Sequence, residues 1–305
     1  MFYKGVKYNI IVVFLMVIIG VIGATSTGML STSTDGDSIF DNPTDDEEVI
    51  DDGGENPNTS GFVMPGADAN AYERLTFAFK VLKEGAGFKY TMNQEVNSVG
   101  MVQKVYIQGY RSGKTNLIEE WHDADFAFGS KKFVSYYGAG QGTIQKKILN
   151  NTRDFSYDNK SYNYAKADEK LTMTEAQYNT TFKGMNENPI TLNASTTTLT
   201  KYDKRSDPNF YIIKLDFLVD KVDREYISTF EANGASNVKF QKIAYEIKIS
   251  KKTGYLSRMF TEQAFTTSYA MLNNIDCTSR SLQIFSNVNK SAQEDINTIL
   301  TQSVF

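Results

Sequence analysis

The chain has 305 residues, 41% hydrophobic and 13% aromatic with only five prolines, enough apolar material for a core and too little proline for a collagen-like or proline-rich rod. Its formal net charge of −4 is unevenly placed: residues 1–70 hold two lysines against eleven acids, leaving 30 basic and 25 acidic residues in 71–305. A single cysteine, Cys277, and a single histidine, His122, exclude an internal disulfide, a cysteine-built zinc site and most histidine-dependent catalysis.

Lys4 and Lys7 precede an uncharged apolar run from Ile10 to Ala24, which reads as an export signal. Extended through Leu30 it is long enough to cross the roughly 30 Å hydrocarbon layer as an uncleaved anchor, the favoured reading over cleavage after Ala24. The lysines then keep the N-terminus cytoplasmic and place the rest of the chain outside. Residues 31–67 are rich in Ser, Thr, Gly, Asn and acids with no base between Lys7 and Arg74, the composition of a disordered, self-repelling tether. Its cluster Asp45-Asp46-Glu47-Glu48 lacks the spaced ligands of an EF-hand loop.

From residue 68 onward a folded domain is expected. Asp68 or Asn70 can cap a helix over 71–83, closed by Gly85 or Gly87, with Tyr72, Leu75, Phe79 and Leu82 on one stripe and Ala78 beside it. Strands follow at 88–96, 103–110, 115–121, 132–137 and 143–148, punctuated by Arg111-Ser112-Gly113-Lys114 and Gly138-Ala139-Gly140-Gln141-Gly142. Residues 150–208 are polar and predict short strands joined by long loops, with 171–182 as a second helix. Tyr211, Ile213, Leu215, Phe217 and Val219 then alternate with polar residues, ahead of a charged segment at 221–233 that suits one short helix.

The clearest hairpin runs from Asn237 to Phe265. Ile243, Tyr245, Ile247 and Ile249 alternate with Ala244, Glu246, Lys248 and Ser250; Lys251-Lys252-Thr253-Gly254 makes the turn, and the extended run resumes at Tyr255. A strand at 280–287 and a capped helix at 291–300 close the chain. Together the arms predict an α+β domain, a large curved antiparallel sheet with one apolar face, packed on one or two helices.

Candidate chemistry is sparse. Glu119-Glu120-Trp121-His122-Asp123-Ala124-Asp125 is the one dense ionisable patch and could in principle bind a metal, but it reads as a strand end turning into a charged loop. The glycine run at 138–142 lacks the following lysine and helix of a phosphate-cradling loop, and no serine sits in a G-x-S-x-G elbow. No enzymatic activity, cofactor or metal is expected, and the absence of an arginine cluster or aromatic-basic interleaving argues against nucleic acid. Ile22-Gly23-Ala24-Thr25 falls one residue short of a lipoprotein signal, Thr25 standing where the lipidated cysteine would be; with the composition rich in Lys, Asn, Ile and Tyr, this suits a bacterial envelope protein.

One resemblance rests on Ile212-Ile213-Lys214-Leu215-Asp216, the charged segment at 221–233, and the run from Lys242 through Lys251-Lys252-Thr253-Gly254 to Leu256. This strand, turn, strand order resembles the LolA/LppX-like superfamily of bacterial envelope proteins, with Ser250 where many members have aspartate. The resemblance implies an unclosed antiparallel half-barrel wrapped round helices, with an apolar cavity for the acyl chains of a lipid or lipoprotein. Cavity candidates are then the apolar faces: Leu75 and Phe79 from the helix, and Ile213, Leu215, Phe217, Ile243, Tyr245, Ile247 and Met259 from the sheet. Each has plain core packing as its alternative. The implied function is a membrane-tethered extracytoplasmic carrier or sensor for a lipid or other apolar ligand, with rim lysines for an anionic headgroup and a possible envelope protein partner. The rival is a surface adhesion module whose polar loops at 150–208 bind protein or wall glycan.

Overall fold

The computed structural model describes residues 61–98, 101–113, 115–126, 129–140, 143–149, 169–173, 192–222, 224, 227, 235–269 and 272–301, with only the backbone described between 115 and 173. The expected signal segment and most of the expected tether therefore lie outside the described residues. Within them stand α1 (Ala71–Glu84), β1 (Gly87–Ser98), β2 (Met101–Ser112), β3 (Thr115–Phe126), β4 (Gly129–Gly140), β5 (Thr143–Leu149) and β6 (Glu169–Met173). There follow β7 (Thr197–Asp203), β8 (Phe210–Phe217), β9 (Ala235–Ser250), β10 (Leu256–Tyr269), β11 (Leu272–Ser286) and α2 (Gln293–Thr301). Neither helix is long and apolar enough to cross a membrane.

All eleven strands join one antiparallel sheet in the order β6-β5-β4-β3-β2-β1-β11-β10-β9-β8-β7. The chain enters at the middle, meanders out to one edge, crosses to the other and meanders back, so that β11 zips onto β1 with Lys89 opposite Ser286 and Ser98 opposite Cys277. The sheet is unclosed, with β6 and β7 as its edges. Its first five strands begin at residues 87, 101, 115, 129 and 143, because each pair is closed by two residues, from Ser98 opposite Met101 to Gly140 opposite Thr143. Short loops of this kind pin the register without shear. The β9–β10 turn is built as the sequence predicts: Gly254 takes φ +74° and donates to the Ser250 carbonyl at 2.8 Å. A Cβ at Gly254 would stand 2.8 Å from the Phe77 ring, so the turn is also where the hairpin meets α1.

α1 begins with a reciprocal cap. The Glu73 amide donates to Asn70 Oδ1 at 3.0 Å and the Asn70 amide donates to Glu73 Oε2 at 2.7 Å, satisfying two otherwise orphaned donors. Both its ends are strapped to the sheet. Near the N-terminus Tyr72 Oη lies 3.0 Å from Thr197 Oγ1 on β7, and Arg74 Nε donates to Tyr202 Oη at 2.5 Å. At the other end Arg111 on β2 donates to the Leu82 carbonyl and, at 2.8 Å, to the Lys83 carbonyl, a cation where the helix dipole is negative. From Tyr72 to Leu82 the helix rises about 15 Å, whereas β7 and β2 are six strand spacings apart, about 29 Å on a flat sheet. The side chains of Tyr72, Thr197 and Arg111 reach across that difference. Register shifts in the β9–β10 pairing at 256/258, 264/265 and 266/268 are the local irregularities that bend a strand. α2 lies on the opposite face, where Lys89 Nζ meets Asp295 Oδ1 at 2.7 Å and Ile296 is fully buried.

Several expectations need correction. Leu171–Met173 belongs to a strand, β6, paired through Leu171 with Lys146; the remainder of the expected helix to 182 lies outside the described residues. The Glu119–Asp125 patch is no loop but the body of β3. At the charged segment 221–233 a 3-10 turn at Val219–Lys221 precedes helical backbone at Arg224 and Ile227, in keeping with the short helix expected there; the residues between and beyond those two lie outside the described ones. The buried stripe of α1 is Ala71, Arg74, Leu75, Phe77, Ala78, Val81 and Leu82, so Tyr72 and Phe79 sit at its margin, half-buried. Arg74, outside the expected stripe, is buried within it. Within the stretch expected as tether, Phe62 and Met64 pack against the core.

Candidate functional site: the inward face of the sheet

Directly paired residues of an antiparallel ladder share a face, so the register assembles the inward face row by row. One row runs Ile107, Met92, Gln283, Met259, Ile247 and Ile213 from β2 to β8. The next runs Val105, Gln94, Ser281, Thr261, Tyr245 and Leu215, and the one after it Gln103, Val96, Ser279, Gln263 and Ile243. The nominated cavity residues therefore come together: Ile213, Leu215, Ile243, Tyr245, Ile247 and Met259 on three adjacent strands, Phe217 at the end of β8, and Leu75 from the helix, in one buried cluster. Phe79 packs against that cluster from its edge. Leu75, Ile213, Leu215 and Ile247 are 0% exposed, so the protein's own side chains cover them.

The face is not uniformly apolar. Beside the β8–β9 hydrophobes, Gln94, Gln103, Thr261, Gln263, Ser279 and Ser281 form a buried belt of uncharged polar groups across β2, β1, β11 and β10. The Gln94 amide donates to Ser279 Oγ at 3.2 Å. Thr261 and Ser281 stand directly opposite each other in the β10–β11 ladder, 9% and 6% exposed, and neither hydroxyl has a side-chain hydrogen-bond partner among the described residues. The sequence carries a signal for this belt that the apolar pattern hid. Met259, Thr261, Gln263 and Phe265 keep the period of two, as do Cys277, Ser279, Ser281, Gln283 and Phe285, with polar residues inserted in the inward phase. Cys277 is buried below the belt, and burial pushes its thiol up from the ordinary value.

Among the described side chains, two inward charged residues, Arg74 and Arg111, hold α1. Arg74, 2% exposed, stacks over the Tyr211 ring at 3.8 Å and donates to the Gly66 and Ala67 carbonyls at 2.8 and 3.1 Å. Arg111, 9% exposed, grips the helix C-terminus as described. Neither was singled out from the sequence, because an arginine inside a helix or at a turn looks like surface until its acceptors are known.

The opposite face carries a charge row of alternating sign. The ladder sets Lys132, Asp123, Lys104, Glu95, Arg280 and Glu262 side by side across six strands. Glu262 receives Arg280 Nε at 3.3 Å and the ammonium of Lys242, and the hydrogen bond from Lys242 is the main reason its carboxyl is held below the usual range. His122 pairs in register with Val105 and Glu120 with Ile107; among the described residues no three His, Cys, Asp or Glu side chains group as a metal site would need. A surface depression of about 580 Å³, lined by residues 65–69 and Glu73, lies at the start of α1 and apart from the inward rows.

Compared with known proteins, the chain matches no family model and no curated protein.

Proposed function

We propose that the protein is a non-catalytic, membrane-tethered extracytoplasmic binding protein that holds a lipid or other apolar ligand against the inward face of its open sheet, acting as carrier or sensor. The observation that carries this reading is the imbalance between that face and its cover. Eleven strands spaced about 4.8 Å apart span about 48 Å, whereas a helix of α1's length covers a strip about 21 Å long and 10 Å wide. A half-barrel curled round α1, of the kind the LolA/LppX-like resemblance implies, would leave apolar surface beside the helix for an acyl chain. The segment Ile10–Leu30 would anchor the chain in the membrane, and the acidic stretch after it would give the domain reach.

A second reading is favoured by the near-complete burial of the nominated residues, which suits a sheet filled by its own side chains and a surface module binding protein or wall glycan through residues 150–208. Native mass spectrometry of the full chain released from detergent micelles separates the two. One lipid retained per chain, enriched over its share of the source membrane, supports the carrier. A bare chain that also takes up no fluorescent fatty acid turns the assignment to the surface module.

A further inference from the structure

We infer that the inward polar belt seats the uncharged polar part of an amphiphile, so that the ligand is a neutral acyl lipid with ester or hydroxyl groups, of the diacylglycerol class, rather than a charged-headgroup lipid. The inference rests on the binding function proposed above and adds the chemistry of the ligand. Buried hydroxyls normally have a partner, yet those of Thr261 and Ser281, facing each other in the ladder and more than nine-tenths buried, have none among the described residues. Two hydroxyls that can both donate and accept suit an ester carbonyl or an alcohol. The adjacent inward row, about 7 Å along the strands, carries the buried Met92, Met259 and Ile247, so a polar group on the belt sets an attached chain among apolar side chains. Among the described side chains a phosphate or ammonium there would find no counter-ion: the inward arginines Arg74 and Arg111 are engaged in holding α1, the charges of Glu95, Arg280 and Glu262 lie on the other face, and Glu120 and His122, in register with Ile107 and Val105, stand on β3, three strands from Ser281. A buried unpaired charge costs far more than a buried hydroxyl.

The test uses the full chain in its membrane, labelled with three diazirine probes: a diacylglycerol, a phosphatidylglycerol of the same chain length and a plain alkane. Adducts are mapped by peptide mass spectrometry in the parent, Thr261→Val, Ser281→Ala and the double variant. Diacylglycerol adducts on β10 and β11 should exceed those of phosphatidylglycerol and fall about tenfold in the double variant, while alkane labelling persists. Both substitutions preserve shape and remove unpartnered groups, so the variants should melt no lower than the parent; the single Ser281→Ala variant, expected to lose about half the effect, serves if the double variant folds poorly. Absence of labelling by all three probes overturns the binding function itself. Alkane and diacylglycerol labelling that is equal and insensitive to the variants leaves that function standing and overturns the inference, the hydroxyls then facing bound water only. Equal labelling by phosphatidylglycerol overturns it as well.

Discussion

Arg74 is 2% exposed and faces no carboxylate among the described residues; its charge is spread over the Tyr202 hydroxyl, two backbone carbonyls and the Tyr211 ring. Arg74→Met keeps the apolar stem and removes the donors that tie residues 66–67 and the β7–β8 edge to α1. Set against the relief of a buried charge, the loss should amount to about 2–4 kcal/mol, a fall of roughly 5–12 °C in melting temperature for a domain of this size; an unchanged melting temperature would show that the clamp is dispensable. The same clamp sets an alkaline limit. Burial pushes the Tyr202 phenol above its ordinary value of 10, although its bond to Arg74 pulls the other way. Because the folded-state pKa is raised, the neutral phenol's contribution is complete below the unfolded value and is lost as pH rises through the folded one. Denaturant midpoints measured between about pH 9 and 11 should decline, and decline less steeply in Tyr202→Phe.

At the scale of elements, a glycine shows how the meander packs. Gly109 on β2 pairs with Tyr90 on β1, and a Cβ there would stand 1.9 Å from the Tyr90 ring. That ring cannot swing away, because it belongs to an aromatic trio with Phe88 and Phe285 at centroid distances of 6.1 and 6.2 Å. Gly109→Ala should therefore lower stability by about 1–3 kcal/mol through overpacking. Gly66→Ala, with open space around the new methyl group, should stay within about 0.5 kcal/mol, and denaturant titration of the two variants makes the comparison. The α1 boundaries were legible because capping is local: Asn70, Glu73 and Gly85 are all within one turn of the helix ends. Its buried face was not, since Arg74 and Phe77 depend on partners more than a hundred residues away in β7, β8 and the β9–β10 turn.

Across the whole molecule, the two meanders become one sheet through the β1–β11 ladder, which joins the start of the domain to its end. Contacts this distant in sequence close late and slowly, so refolding in milliseconds to seconds is expected. Hydrogen exchange should be slowest in β1, β10 and β11, which are paired on both sides, and fastest along the edge strand β7; β7 amides that outlast those of β1 would contradict this sheet order. The alternating charge row on the outward face spans the same junction, Glu95 on β1 against Arg280 on β11, and sets the register by sign as well as by apolar phase.

By itself the sequence determined the local grammar: strands where apolar residues alternate, hairpins where glycine turns interrupt them, and a capped helix over 71–83. These signals act over a few residues and need no partner. Tertiary structure alone decided that β11 returns to β1, that β7 is an edge, and that Arg74, Gln94, Thr261 and Ser281 lie inside an apolar face. The physical reason is that alternation assigns a residue to one of two faces but does not say which face is buried, or by what. Whether a polar side chain may be buried depends on acceptors and neighbours brought together only when strands far apart in the chain are laid side by side.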